Sequence, residues 1–235
     1  MGCAGLLELD RALMAGHRPV AAAIVEDGVG WLAPFDTERS TYVHHDPRPG
    51  FAGTRIGHGP SVLGQDALVD LPGEAGCAAV EIGVAALLGD ELRAASAREA
   101  KDAILGLAIL VDWARGDVDP RDPRCERGLR VQLGPTLTAA SALGRVASLR
   151  GRARVGAREI DLGTLGELPP IEESVATLSR TLTLRAGDVV GVGPLPRGSS
   201  DVHRVAVPFH DRVEVTIERL GVLRGAAVER RELAR

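Results

Sequence analysis

Two apolar runs, each interrupted by one acid, constrain this chain more than any other feature. Ala78 to Leu88 carries only Glu81 among apolar residues and glycine, and Leu107 to Trp113 is apolar until Asp112. Runs of this kind read as strands buried on both faces. A carboxylate inside such a strand must find a partner, because burying it alone is costly. An arginine and a metal ion are the two partners that fit.

The rest of the chain allows those strands a full core. It has 235 residues, 45% of them hydrophobic and 26% charged, which is a globular composition of one domain or slightly more. The net charge of −4 argues against a basic nucleic-acid binder. No apolar run approaches the roughly 20 residues that span a bilayer. The start, from Met1 to Leu6, has no basic and apolar leader pattern, so a cytoplasmic protein is expected. Cys3, Cys77 and Cys125 are too scattered for a disulfide framework or a zinc ribbon. Lys101 is the only lysine among 28 basic residues, so lysine chemistry would have to use it.

Local patterns predict an αβ preface and then mostly strands. A helix is expected over Leu6–Ala15, with strands over Val20–Val25 and Val29–Leu32. Residues 36–60, rich in Pro, Gly, His and Asp, read as an irregular loop. Ser96 and Glu99 have capping-box spacing in a helix predicted over Ala94–Leu105. Residues 114–130 hold two prolines and many charges and read as an exposed mobile loop. Short strands follow over Val131–Leu137, Ala147–Leu149, Arg152–Val155 and Val189–Val192, with a helix over Ile171–Ser179. Strict alternation over Val213–Ile217 closes the chain. The class expected is α+β, with an N-terminal segment over 1–59 and a β-rich domain over 60–235.

Six stretches in order then resemble the fumarylacetoacetate hydrolase superfamily. They are Pro60–Gly64, Glu81–Gly89, Val111–Asp112–Trp113, Leu133–Gly134–Pro135, Leu184–Val190 and Val213–Gly221. The resemblance implies a mixed β-roll core that dimerises. It also implies a magnesium or manganese ion held by two glutamates of E-x-E and the aspartate of N-D, which are hard oxygen ligands on one face. Such an ion chelates a 2-oxo acid and stabilises the enolate formed during reaction.

The chain departs from that pattern. Glu81 and Asp112 match two ligands, but six residues before Gly89, where the second glutamate belongs, stands Gly83. In the other alignment Glu81 is the second glutamate and Ala79 replaces the first. Either way the metal set is incomplete, and Mg²⁺ or Mn²⁺ is expected to bind weakly or not at all. The family lysine position is Cys125, flanked by Arg124 and Arg127, and the G-T-P threonine is Pro194. Arg115 comes one residue early for the family arginine. Arg115, Arg124 and Arg127 are the candidate carboxylate-binding residues.

For the general base, Tyr42-Val43-His44-His45 keeps the family's Y-x-x-H, with Arg48 where its glutamate belongs. His45 beside Asp46 is one candidate, the alternative being a surface histidine pair in a loop; His58 is the other candidate. Two functions stay open. One is an enzyme acting on a small 2-oxo or β-dicarbonyl acid as a hydrolase, decarboxylase, hydratase or isomerase. The other is a repurposed member, either a metal-independent isomerase or cyclase or a partner subunit of an active paralogue.

Overall fold

The computed structural model describes residues 40–46, 54–58, 62–72, 76–117, 130–195 and 204–230, with Arg55 and His58 described by backbone alone. The expected helix over Leu6–Ala15 and the strands over Val20–Val25 and Val29–Leu32 lie outside these residues.

The chain begins with β1 (Thr41–His45), β2 (Thr54–His58), β3 (Val62–Leu63), β4 (Ala67–Pro72) and β5 (Ala78–Leu88). Helix α1 (Ala97–Ala103) leads into β6 (Ile104–Arg115) and β7 (Arg130–Ala139). Next come α2 (Ala140–Leu143), a 3-10 turn over Val146–Ser148, β8 (Arg150–Val155) and β9 (Arg158–Thr164). A second 3-10 turn over Leu165–Glu167 precedes α3 (Ile171–Ser179), β10 (Val189–Val192) and β11 (Val205–Val207). The last strands are β12 (Arg212–Ile217) and β13 (Gly221–Arg230).

Two mixed sheets result. The first runs β2-β1-β10-β5-β6-β7-β3, with β11 also pairing β5; the second runs β4-β13-β12-β8-β9. The predicted α+β class with a β-rich core is the class observed. Paired residues in a sheet point to the same side, so β5 and β6 have two distinct faces. Val80, Ile82 and Val84 join Ile109, Val111 and Trp113 in the main core, which includes Val213, Val215 and Leu223 of the second sheet. Ala85, Leu87 and Leu110 face the other way and pack with Tyr42, Val62, Val131 and Val189. That double burial is why these strands read as apolar runs broken only by Glu81 and Asp112.

Buried polar groups fix how the pieces meet. Gln132 accepts a hydrogen bond from Trp113 Nε1 at 3.1 Å and donates to the carbonyls of Gly64, at 2.8 Å, and Arg224. One amide thereby links the first sheet to the second. Asp188 accepts from Arg185 N–H at 2.8 Å and Thr41 N–H at 2.9 Å. The first bond closes the turn into β10, and the second clips β1 alongside it. Ser96 and Glu99 form the expected capping box.

Several expectations are corrected. Residues 36–60 are not simply a loop: β1 pairs β10 in parallel and β2 antiparallel. The predicted helix over 94–105 is shorter at both ends, because Ile104 already pairs with Leu88 in the ladder. Residues 147–149 are not a strand but largely the 3-10 turn. Of the expected loop over 114–130, Ala114 and Arg115 belong to β6 and Arg130 to β7, while 118–129 lie outside the described residues. Ile217 does not end the strands; β13 follows and pairs with both β12 and β4.

Candidate functional site

The two lone acids come together. Glu81 of β5 stands opposite Asp112 of β6, and both are buried. On the other side of β5, β11 pairs Val205 with Val80. The antiparallel register carries Arg204 to the position opposite Glu81. Arg204 Nε donates to Glu81 Oε1 at 3.0 Å, with the two side chains only 8% and 4% exposed. Asp112, Glu81 and Arg204 thus form one row across three neighbouring segments. Both partners predicted for a buried Glu81 were cations, and the structure supplies the arginine.

Gly83 lies two residues further along the same face. After β10 the chain crosses over it: Leu195 N–H bonds Ile82 O at 2.7 Å. A Cβ at 83 would strike the carbonyl oxygen of Val192 and lie 3.1 Å from Gly193 Cα. Main chain occupies the space where sequence spacing put a third carboxylate. Among the described residues, no group of three His, Cys, Asp or Glu side chains comes together as a metal would require. With Glu81 engaged by Arg204 and position 83 filled, these residues do not fit the three-carboxylate ion site of the resemblance.

The histidines separate by strand alternation. His44 pairs with Gly191, which pairs with Ala85, so its side chain shares the face of Glu81. It is 1% exposed, and its Nδ1 is hydrogen-bonded to the Tyr42 hydroxyl at 2.8 Å. Gly191 makes room for that hydroxyl, since a Cβ there would lie 2.6 Å from it. The reading of a surface histidine pair in a loop is therefore corrected. His44 was missed from sequence because only the β1 register assigns its face. Along β5, its row stands four residues from Glu81, about 13 Å.

His45 is half-buried at the end of β1, and its buried Nδ1 has no hydrogen-bond partner among the described residues. Burial pushes its pKa below the usual 6.5, against the opposing pull of the Asp46 carboxylate. His58 pairs with Thr41 through its backbone.

The candidate arginines are placed only in part. Arg115 forks onto Asp117, Nε to Oδ1 at 3.0 Å and a terminal nitrogen to Oδ2 at 2.7 Å, which holds the Asp117 carboxyl below its usual range. Arg124, Cys125 and Arg127 lie outside the described residues. Two clefts, of 630 and 450 Å³, open elsewhere. The larger is a groove on the second sheet where Arg150 pairs with Asp161 and Arg154 with Glu214. Neither cleft touches the buried row, and the row has the stronger claim because its charges are desolvated.

Residues 40–228 match the family model described as fumarylacetoacetate (FAA) hydrolase C-terminal. The chain belongs to the fumarylacetoacetate hydrolase family. Within this family it is similar to oxaloacetate tautomerase YisK of Bacillus subtilis (strain 168), 25% identical over 179 residues. That match covers 72% of this chain and 56% of the relative, so the chain spans little more than half the relative's length. Among solved structures, a 2-hydroxyhepta-2,4-diene-1,7-dioate isomerase from Mycobacterium marinum matches with a TM-score of 0.71 and 23% identity. The match covers 85% of this chain and 77% of that one. A maleylpyruvate hydrolase from Sphingobium sp. SYK-6, in complex with manganese(II) and pyruvate, matches at 0.70 and 21% identity, covering 97% and 83%. These structures share the fold. The proteins it resembles thus include one named a tautomerase, one named an isomerase and one named a hydrolase. Among the described residues no helix is long and apolar enough to cross a membrane.

Proposed function

We propose that this member of the family binds a small 2-oxo or β-dicarbonyl acid and moves a proton on the carbon beside the oxo group, as an isomerase or tautomerase. The observation that carries this reading is the buried row of Asp112, Glu81 and Arg204. A stable core gains little from an ion pair that hydrophobic residues could replace, so a buried guanidinium paired with Glu81 is better explained by a functional role than by packing. The tautomerase and isomerase among the relatives support the same chemistry.

The reaction needs a base and an anion holder. His45 is our candidate base: burial favours its neutral form at pH 7, which accepts a proton. Because strand alternation turns it to the face opposite Glu81, a substrate would have to reach it around the end of β1. His45 would take the proton from the carbon next to the oxo group, the electron pair moving onto the carbonyl oxygen. The resulting enolate would regain a proton at carbon or oxygen, restoring the base. His58 is the second candidate base. Arg115, Arg124 and Arg127 are candidate grips for a second substrate carboxylate. A homodimer and a cytoplasmic location complete the proposal.

Mixing the protein with oxaloacetate and following the enol's ultraviolet absorbance tests it. Keto–enol exchange should run faster than in buffer, and His45→Gln should slow it. If neither oxaloacetate nor related 2-oxo acids react or bind, the second reading takes over. In that reading the Glu81–Arg204 contact is a closed structural pair in a non-catalytic subunit.

A further inference from the structure

We infer that the 450 Å³ cleft between α1, α2 and the start of α3 is a second binding site, suited to a small aliphatic monocarboxylate. The inference stands independently of the 2-oxo acid reading, because this cleft does not touch the buried row.

The walls are apolar and stiff. Leu143, Leu165, Leu168 and Ile171 line the cleft, and each is more than nine-tenths buried, so their edges form its floor. The two 3-10 turns meet at its side. Leu165 N–H bonds Leu149 O at 2.9 Å, and a Cβ at Gly166 would lie 2.8 Å from Ala147 O. Pro169 and Pro170 add a lip with fixed φ and no N–H donors. Gly144 lines the cleft with φ +68, and a Cβ there would meet nothing within 4 Å, so the wall stays open at that point. Small-molecule sites have this character, preformed and mostly apolar with a few polar groups, in volumes of about 300–1,000 Å³.

The rim is cationic. Lys101, the chain's only lysine, lines the cleft from the last turn of α1, and Arg145 from the residue that precedes the first 3-10 turn. Both are exposed, and neither side chain has a hydrogen bond or ion pair among the described residues. Elsewhere on the surface Arg150, Arg154, Arg224 and Arg230 each meet a carboxylate. Long cationic side chains lay their stems on apolar surface and keep the charge in water. A bound anion would therefore sit at the mouth, with its apolar body inward.

Charge and lining narrow the ligand further. Glu172 stands at the same rim, so two cations and one acid leave a formal charge of +1, which a monoanion balances and a phosphate dianion does not. Among the described residues no aromatic side chain lines the cleft, so nothing there stacks on an aryl ring. An aliphatic body fits better.

The test uses the full chain with octanoate, kept below its micelle threshold, and titration calorimetry. Octanol supplies the chain without the charge, and acetate the charge without the chain. Octanoate should bind more tightly than either. Going from hexanoate to octanoate should tighten binding by up to about 15-fold, the scale of burying two methylenes. Lys101→Met and Arg145→Met should each weaken octanoate by about 2- to 5-fold, the scale of an exposed ion pair, and leave octanol unchanged. Nuclear Overhauser contacts should run from the octanoate chain to methyls of Leu143, Leu165 and Ile171. Octanol binding as tightly as octanoate, or affinity that ignores chain length, would overturn the inference. So would contacts to methyls outside the cleft, or no binding of octanoate at all.

Discussion

Glu81 and Asp112 oppose each other on neighbouring strands, two acids on one rung of a ladder that is otherwise apolar residues and glycine apart from Arg115 at its end. Directly opposed like charges destabilise a sheet. Arg204, on the far flank of Glu81, offsets that repulsion within the buried row. The arrangement makes stability depend on a residue that arrives from a distant part of the chain.

Truncating Arg204 should therefore be costly. Arg204→Met leaves Glu81 buried without its ion-pair partner, and breaking a buried pair from one side costs about 3–5 kcal/mol. The double variant Glu81→Leu with Arg204→Met removes both charges and should recover most of that loss. Urea unfolding of the wild type, both single variants and the double variant measures the coupling. A double variant no more stable than Arg204→Met would rule out this account.

Gly83→Ala should destabilise the fold, because the added methyl meets backbone atoms rather than a side chain that can swing away. Overpacking of this kind costs about 1–3 kcal/mol. Gly83→Glu is expected to be worse and to give no metal site. The metal site of the family resemblance needs a carboxylate at this position, and main chain occupies the space it would take. Thermal melts with and without Mn²⁺ check both variants, and a metal-stabilised Gly83→Glu would be the contrary result.

Tyr42→Phe removes the hydroxyl bonded to His44 Nδ1. Loss of one partner to a buried polar atom costs about 1–3 kcal/mol. The His44 ring should also change its tautomer balance, which nitrogen NMR shifts report. Unchanged shifts would mean that the hydroxyl does not set the ring's state.

His45 gives stability a dependence on pH with a definite sign. Its folded pKa lies below the ordinary 6.5, so the unfolded chain binds the proton more readily. Its contribution is complete above pH 6.5 and is lost as pH falls from there through the lowered folded value. Denaturation midpoints between pH 8 and 5 should fall less in His45→Gln than in the wild type. Parallel curves would show that burial of this ring is not linked to folding.

The sequence revealed what local chemistry dictates. Glu81 and Asp112 stood out because each interrupts an apolar run, and β5, β10 and α3 appear at the bounds their patterns predict. β1 was hidden because it is stabilised by residues 189–192, far away in the chain, and its flanking Pro and Gly resemble a loop. β9 was overlooked because Arg158, Glu159 and Asp161 are exposed, leaving only Ile160 and Leu162 turned inward. Arg204 was illegible for a different reason. Nothing in its neighbours distinguishes it from the chain's other arginines, and only the pairing of Val205 with Val80 delivers it to Glu81. Gly83 was visible, but sequence could not say that a crossing backbone was what filled its place.

The clip between Asp188 and Thr41 has a practical consequence for dissecting this protein. A fragment begun at residue 60 would lack the strand that covers one side of Val189–Val192 and would leave one Asp188 oxygen without its amide. The stripped strand would present a row of open N–H and C=O groups, a template for pairing with another molecule. Such a fragment is prone to aggregate or exchange strands between copies, although it retains Glu81, Asp112 and Arg204. Any smaller piece intended to fold alone must reach back past Thr41.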